Sequence, residues 1–138
     1  MTSFILRRQF TIDFGHCDPA GDVAARRVFE FFDTSTWMLF EAALGVERQH
    51  FIATHGILPL VDVRAATRRP VRFGNHVEIA SRVAQFRRSS FEVEHRITHC
   101  GDLAIEGSET RVWAVKDKDD PTKIHARAIP EDVIARFG

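Results

Sequence analysis

The side chain with the most interesting surroundings is Asp18, in the loop Asp13-Phe14-Gly15-His16-Cys17-Asp18-Pro19-Ala20-Gly21. Glycine and proline punctuate this stretch, so the carboxylate is presented on irregular backbone. A carboxylate so placed could attack a carbonyl or activate water. It could equally make an Asx-type turn, bonding backbone amides just downstream. The neighbours His16 and Cys17 do not form a nucleophile–base pair, because adjacent residues on extended chain point opposite ways. His16 keeps a place as a pocket residue only. His95 shares the parity of Phe91, Val93 and Ile97 and reads as a hydrogen-bonded core histidine. Arg68-Arg69 and Arg87-Arg88 are paired cations that would suit one small anionic ligand, or simply a solvated strand and turn. Cys17 and Cys100 form neither a disulfide framework nor a zinc pattern, and no His or carboxylate spacing points to a metal. No cofactor is expected.

The elements that must position these residues can be read from periodicity. Residues 4–13 alternate, with Phe4, Leu6, Phe10 and Ile12 on one parity, and predict a strand. Over 23–44 the spacing becomes helical. Val28, Phe32, Leu39 and Ala43 form the stripe, and Phe29, Phe31, Trp37, Met38 and Phe40 widen it, which predicts a largely buried helix ended by Gly45. A short helical piece is expected over 47–54. Strands are expected over 57–71, 76–86, 90–98 and 104–115, with turns at Gly74-Asn75 and Cys100-Gly101-Asp102. A last short helix begins at Pro130. Strand, long helix, then a run of antiparallel strands is α+β, with a sheet wrapped around one helix. Periodicity alone also allows cystatin-like or nuclear-transport-like sheets.

Composition narrows the functions. The 138 residues fit one domain, 1–138, without repeat, linker or low-complexity tract. Lysine plus arginine and aspartate plus glutamate each number 19, so no basic excess marks a nucleic-acid binder. No stretch reaches the roughly 20 apolar residues that span a bilayer, and residues 1–8 lack the pattern of a secretory signal. A soluble protein in the reducing cytoplasm is expected.

Four elements in register resemble the 4-hydroxybenzoyl-CoA thioesterase family. They are Asp18-Pro19-Ala20-Gly21 between the first strand and the helix, Arg87-Arg88-Ser89-Ser90-Phe91, Arg111-Val112-Trp113-Ala114, and Arg127-Ala128-Ile129-Pro130. The resemblance covers nearly the whole chain. It implies a hotdog fold, an antiparallel sheet around a long central helix. It also implies an acyl-CoA thioesterase that releases a small, aromatic or other, acid with Asp18 as catalytic carboxylate. By the same resemblance, the Ala25 amide faces the thioester oxygen, and Arg87, Arg88 and Arg127 hold CoA phosphates. The chain departs from the family at the helix start, which usually opens with an aromatic and an Asn but here reads Asp22-Val23-Ala24-Ala25-Arg26-Arg27. A backbone donor survives that change, although Asp22 could compete for the same amides as an N-cap. No tyrosine is present to make a phenolic contact.

Rival readings remain. A hotdog hydratase would need a His with a carboxylate, and the helix holds Asp33 and Glu41 but no His. A non-catalytic acyl-CoA-binding module and a thioesterase for acyl carrier protein thioesters stay open. A curved sheet with a long free edge favours pairing, so a homodimer or homotetramer is expected, with sites shared between subunits as the resemblance implies.

Overall fold

The computed structural model describes residues 2–138. Strand β1 (Leu6–Thr11) leads through a 3-10 turn, Phe14–His16, into helix α1 (Ala25–Leu44) and the short helix α2 (Arg48–Thr54). Strands β2 (Leu60–Thr67), β3 (His76–Phe86), β4 (Ser90–His99) and β5 (Asp102–Val112) follow. Two short strands, β6 (Ala114–Lys116) and β7 (Ile124–Ala126), precede helix α3 (Glu131–Ala135). The main sheet has five strands in the order β1-β3-β4-β5-β2, every neighbour antiparallel. The α+β reading holds.

The helix forms where the apolar period said it would. Val28, Phe32, Leu39 and Ala43 are buried against the sheet, and Gly45 ends the helix in a left-handed conformation, its amide bonded to the Glu41 carbonyl. Two cores result. Toward the start of α1, Val28, Phe31 and Phe32 pack on Val77, Ile79 and Ile97. Toward its end, Leu39, Phe40 and Leu44 meet Val83, Phe91 and Trp113. Phe32 rides directly over Gly107 of β5, where an added Cβ would lie 2.6 Å from its ring. Only glycine permits that approach.

Several expectations are corrected. Phe29 and Met38 widen no buried stripe; both lie exposed. The helix starts at Ala25 with Ala24 as N-cap, and Asp22 is no cap, because its backbone is bridged to Arg72. The strand expected over 57–71 shortens to β2: Ile57 makes only an isolated bridge to Ala114, and the chain bends at Arg68-Arg69 ahead of Pro70. The strand expected over 104–115 begins two residues earlier, at Asp102, and ends at Val112; Trp113 turns inward before β6. Strand β7 carries no sequence signal, because all its residues are exposed and no alternation marks it. The Cys100-Gly101 pair does make the β4–β5 turn, both residues at positive φ.

Candidate active site

The loop after β1 is folded into a small frame. The Asp18 amide donates to the Asp22 carbonyl at 2.8 Å, and the Gly21 amide to the Asp18 carbonyl at 3.0 Å. Asp18 Oδ1 accepts the amides of Ala20 at 2.9 Å and Asp22 at 3.1 Å. The Asx-type turn is therefore real. It occupies only one oxygen, and Oδ2 has no hydrogen-bond partner among the described residues. Asp18 lies exposed.

Helix α1 begins beside this frame. The Ala24 amide donates to the His16 carbonyl at 3.0 Å and Cys17 bridges Val23, which ties the loop's entry to the helix's first turn. The amides of Ala25 and Arg26 have no intramolecular acceptor among the described residues, and both residues are exposed. Free amides at a helix start, with the macrodipole behind them, favour negative charge. Asp22 does not compete for them: its Oδ1 lies 3.1 Å from Arg72 Nη1. Arg27 pairs with Glu30 at 2.7 Å, whereas Arg26 has no such partner among the described residues.

Aromatic rings flank the loop. Phe14 and Phe73 are 70% and 57% exposed and meet edge to face with centroids 5.7 Å apart. His16 stands edge-on to Phe31, and its Nδ1 accepts the Asp13 amide at 2.9 Å. That is a turn-forming role. Cys17 points its thiol at the Asp13 carbonyl rather than at His16.

Arg87, Arg88 and Arg127 gather elsewhere. Arg87 and Arg88 make the exposed β3–β4 turn, the Ile129 amide donates to the Arg88 carbonyl at 2.8 Å, and the Arg127 amide to the Trp113 carbonyl at 2.9 Å. The three residues therefore sit on one end of the sheet. The Asp18 loop sits at the other, stitched to the start of β3 through Phe73 and Asn75. The length of β3, about 30 Å at the usual strand rise, separates them within one chain. Arg68 and Arg69 pair with Glu106 and Asp102, as surface charges on a sheet do.

A second cluster lies between α1 and the sheet. His95 is fully buried and stacks on Phe32, with centroids 4.4 Å apart. Its Nδ1 is 2.7 Å from Ser81 Oγ and its Nε2 3.0 Å from Glu109 Oε1, which also accepts the Thr36 hydroxyl. Arg111 donates to Glu109 Oε2 at 2.7 Å, to Asp33 at 2.6 Å and to the Leu58 carbonyl at 2.8 Å. Burial would raise the Glu109 carboxyl, but hydrogen bonds from His95 and Arg111, reinforced by the Arg111 charge, hold it down at about 2. Burial is the main cause that lowers His95, so its ring is neutral. His95 is a satisfied core histidine, as its parity implied. The network is not among the sequence-based expectations, although its one local signal is that Glu109 and Arg111 share the inward parity of β5. No cluster of three or more His, Cys, Asp or Glu among the described residues could hold a metal ion. Among the described residues no helix is long and apolar enough to cross a membrane.

Residues 12–137 match the family model described as the thioesterase-like superfamily. The 4-hydroxybenzoyl-CoA thioesterase of Pseudomonas sp. (strain CBS-3) is 30% identical over 134 residues, 91% of this chain and 92% of the relative. This chain belongs to the thioesterase-like superfamily. The structure of that Pseudomonas enzyme superposes with a TM-score of 0.84 at 25% identity, covering 97% of this chain and 99% of the other. A mutant 4-hydroxybenzoyl-CoA thioesterase complexed with 4-hydroxybenzoyl-CoA gives a TM-score of 0.87 at 24% identity, over 99% and 100% of the two chains. The fold is the hotdog, and the superfamily's chemistry makes the protein a thioester hydrolase.

Proposed function

We propose that this chain hydrolyses a small acyl-CoA to the free acid and CoA, with Asp18 as the reacting carboxylate. The observation that carries the reading is how Asp18 is held. Its Oδ1 is anchored by two loop amides while Oδ2 has no partner among the described residues, in a loop tied through His16 and Cys17 to the helix start, where the Ala25 and Arg26 amides are free. A carboxylate so fixed is aimed, and the helix start offers donors to the oxyanion that develops on the thioester oxygen. If Asp18 attacks, its oxygen bonds to the acyl carbon as the C–S bond breaks. CoA leaves as a thiolate that takes up a proton, and water then cleaves the mixed anhydride. If Asp18 is instead a base, it takes a proton from the water that adds to the carbonyl. Rapid-quench mass spectrometry separates the two by the presence or absence of an acyl adduct on the chain.

The name of the Pseudomonas relative supports an aromatic acyl group, and the Phe14–Phe73 pair offers aromatic faces beside the loop. Arg87, Arg88 and Arg127 are proposed to hold CoA phosphates. Because they lie a strand's length from Asp18 in one chain, we assign them to the site of a partner copy, in a homodimer or a homotetramer of such dimers. The unpaired edge of β2, with Leu60 and Val61 exposed, is consistent with pairing. The free thiols Cys17 and Cys100 suit a reducing cytoplasm.

A thiol-release screen tests the function across aromatic, short aliphatic and long-chain acyl-CoAs, with acyl carrier protein thioesters alongside. Turnover is expected without added metal and in the presence of chelator. No release from any thioester overturns the reading, and zinc-restored activity after chelation overturns its metal-free part.

A further inference from the structure

We infer that Arg72 is a positioning residue for Asp18, an external strut that holds the two amides gripping its carboxylate. The inference rests on the assignment of Asp18 made above. The amides on Asp18 Oδ1 belong to Ala20 and Asp22. One guanidinium takes hold of those same two residues from the outside. Arg72 Nη2 donates to the Ala20 carbonyl at 2.9 Å, and Nη1 lies 3.1 Å from Asp22 Oδ1. The backbone repeats the link, with Phe73 donating to the Gly21 carbonyl at 3.0 Å and Val23 to the Val71 carbonyl at 2.9 Å, on either side of the Asp22–Arg72 bridge.

The strut is itself fixed. The Arg72 amide donates to the Asn75 side chain at 2.8 Å, and the Asn75 amide returns to the Arg72 carbonyl at 3.0 Å. Gly74 closes that turn at a φ of 84°, its amide bonded to the Ile12 carbonyl at 2.9 Å. The start of β3 is thereby locked to the end of β1, and Arg72 projects from it across the loop. Gly21, at a φ of 86°, lets the loop double back beneath the guanidinium. The hydrogen bond fixes a distance and a direction at the Ala20 carbonyl, and the rigid plane of the guanidinium then sets its charge beside the Asp22 carboxylate without a hydrogen bond to it.

The contacts lie at the surface, so their removal should scarcely change stability. Their value is geometric. A misplacement on the order of 1 Å at a reacting group can cost a hundredfold in rate. Arg72→Gln should therefore lower kcat by about ten- to a hundredfold with little change in KM or melting temperature. Asp22→Asn, which loses the ion pair but keeps the amide on Asp18, should give a smaller loss, non-additive with Arg72→Gln. The deciding measurement is the cycle with Asp18→Asn. If Arg72 acts through Asp18, Arg72→Gln removes almost nothing further once Asp18 is Asn. Wild-type kcat in Arg72→Gln overturns the inference. So does a rise in KM alone, or an equal loss in the Asp18→Asn background, either of which marks a role elsewhere. Near-normal turnover in Asp18→Asn defeats the parent assignment and the strut together; an inactive Asp18→Asn beside a fully active Arg72→Gln defeats the strut alone.

Discussion

Asp18 and Glu109 are both carboxylates held by hydrogen bonds, and they are held for opposite ends. Asp18 spends one oxygen on backbone amides and keeps the other free, on an exposed loop. Glu109 spends both. Oε1 meets His95 and Thr36, Oε2 meets Arg111, and no water reaches it between α1 and the sheet. A reacting group needs an unused lone pair and a path for substrate, whereas a buried charge is tolerated only when no lone pair is left over. Charge and hydrogen bonding alone would nominate Glu109 as the site, with its strongly depressed carboxyl and its histidine. Access reverses that choice. Perturbed groups mark structural ion networks as well as active sites, and the free oxygen is what favours Asp18 as the candidate.

Substitutions at the two carboxylates should break apart in what they damage. Asp18→Asn keeps the turn, since an amide oxygen can still accept from Ala20 and Asp22, and removes the charge proposed to react. A fall in kcat of about three orders of magnitude, roughly 4 kcal/mol, is expected with substrate binding and melting temperature nearly intact. Glu109→Ala should do the reverse. It strands Arg111 and His95 in the core at a cost of about 3–5 kcal/mol in chemical denaturation, while kcat per folded molecule holds. A Glu109→Ala enzyme of normal stability and no activity would falsify the division.

Gly107→Ala sharpens the structural side. The new methyl meets the Phe32 ring and the Arg64 carbonyl, and a loss of about 1–3 kcal/mol is expected in the same denaturation assay. Smaller still is the effect on binding of the distant arginines. Arg87→Ala with Arg88→Ala should raise KM more than it lowers kcat, by about tenfold, and less at high salt. The rise should shrink for a pantetheine thioester that lacks the nucleotide. An equal rise on both substrates removes the phosphate assignment.

Acid should expose the buried cluster in sequence. His95 is depressed from 6.5, chiefly by burial, so its neutral form contributes stability that is full above 6.5 and is lost progressively as pH falls from there toward the lower value of the folded protein. Glu109 sits at about 2 against an ordinary 4.5, so its contribution is full above 4.5 and drains away between there and about 2. Melting temperature should be flat near neutrality and fall in these windows. Glu109→Ala should lose the lower of the two. A wild-type melting temperature that rises on acidification contradicts both assignments.

Much of this was legible beforehand because the signals were local. The stripe through Val28, Phe32 and Leu39, the alternation through Phe91, Val93 and Ile97, and the Gly74 and Gly101 turns each depend on residues close in the chain. Asp18 stood out for the same reason, as part of a loop motif. The N-cap was misread at Asp22 because its partner, Arg72, is fifty residues away, and nothing nearby announces the bridge.

The order of the main elements, the inward faces of β1 and β4 and the candidacy of Asp18 were thus legible in sequence alone, through steric period and turn chemistry. Tertiary structure decided the rest. It chose which oxygen of Asp18 is free, drew Arg72 across the loop, sealed Glu109 away from solvent, and put the arginines at the far end of β3. Those are facts of distance between residues remote in the chain, and they exist only once the sheet has closed around α1.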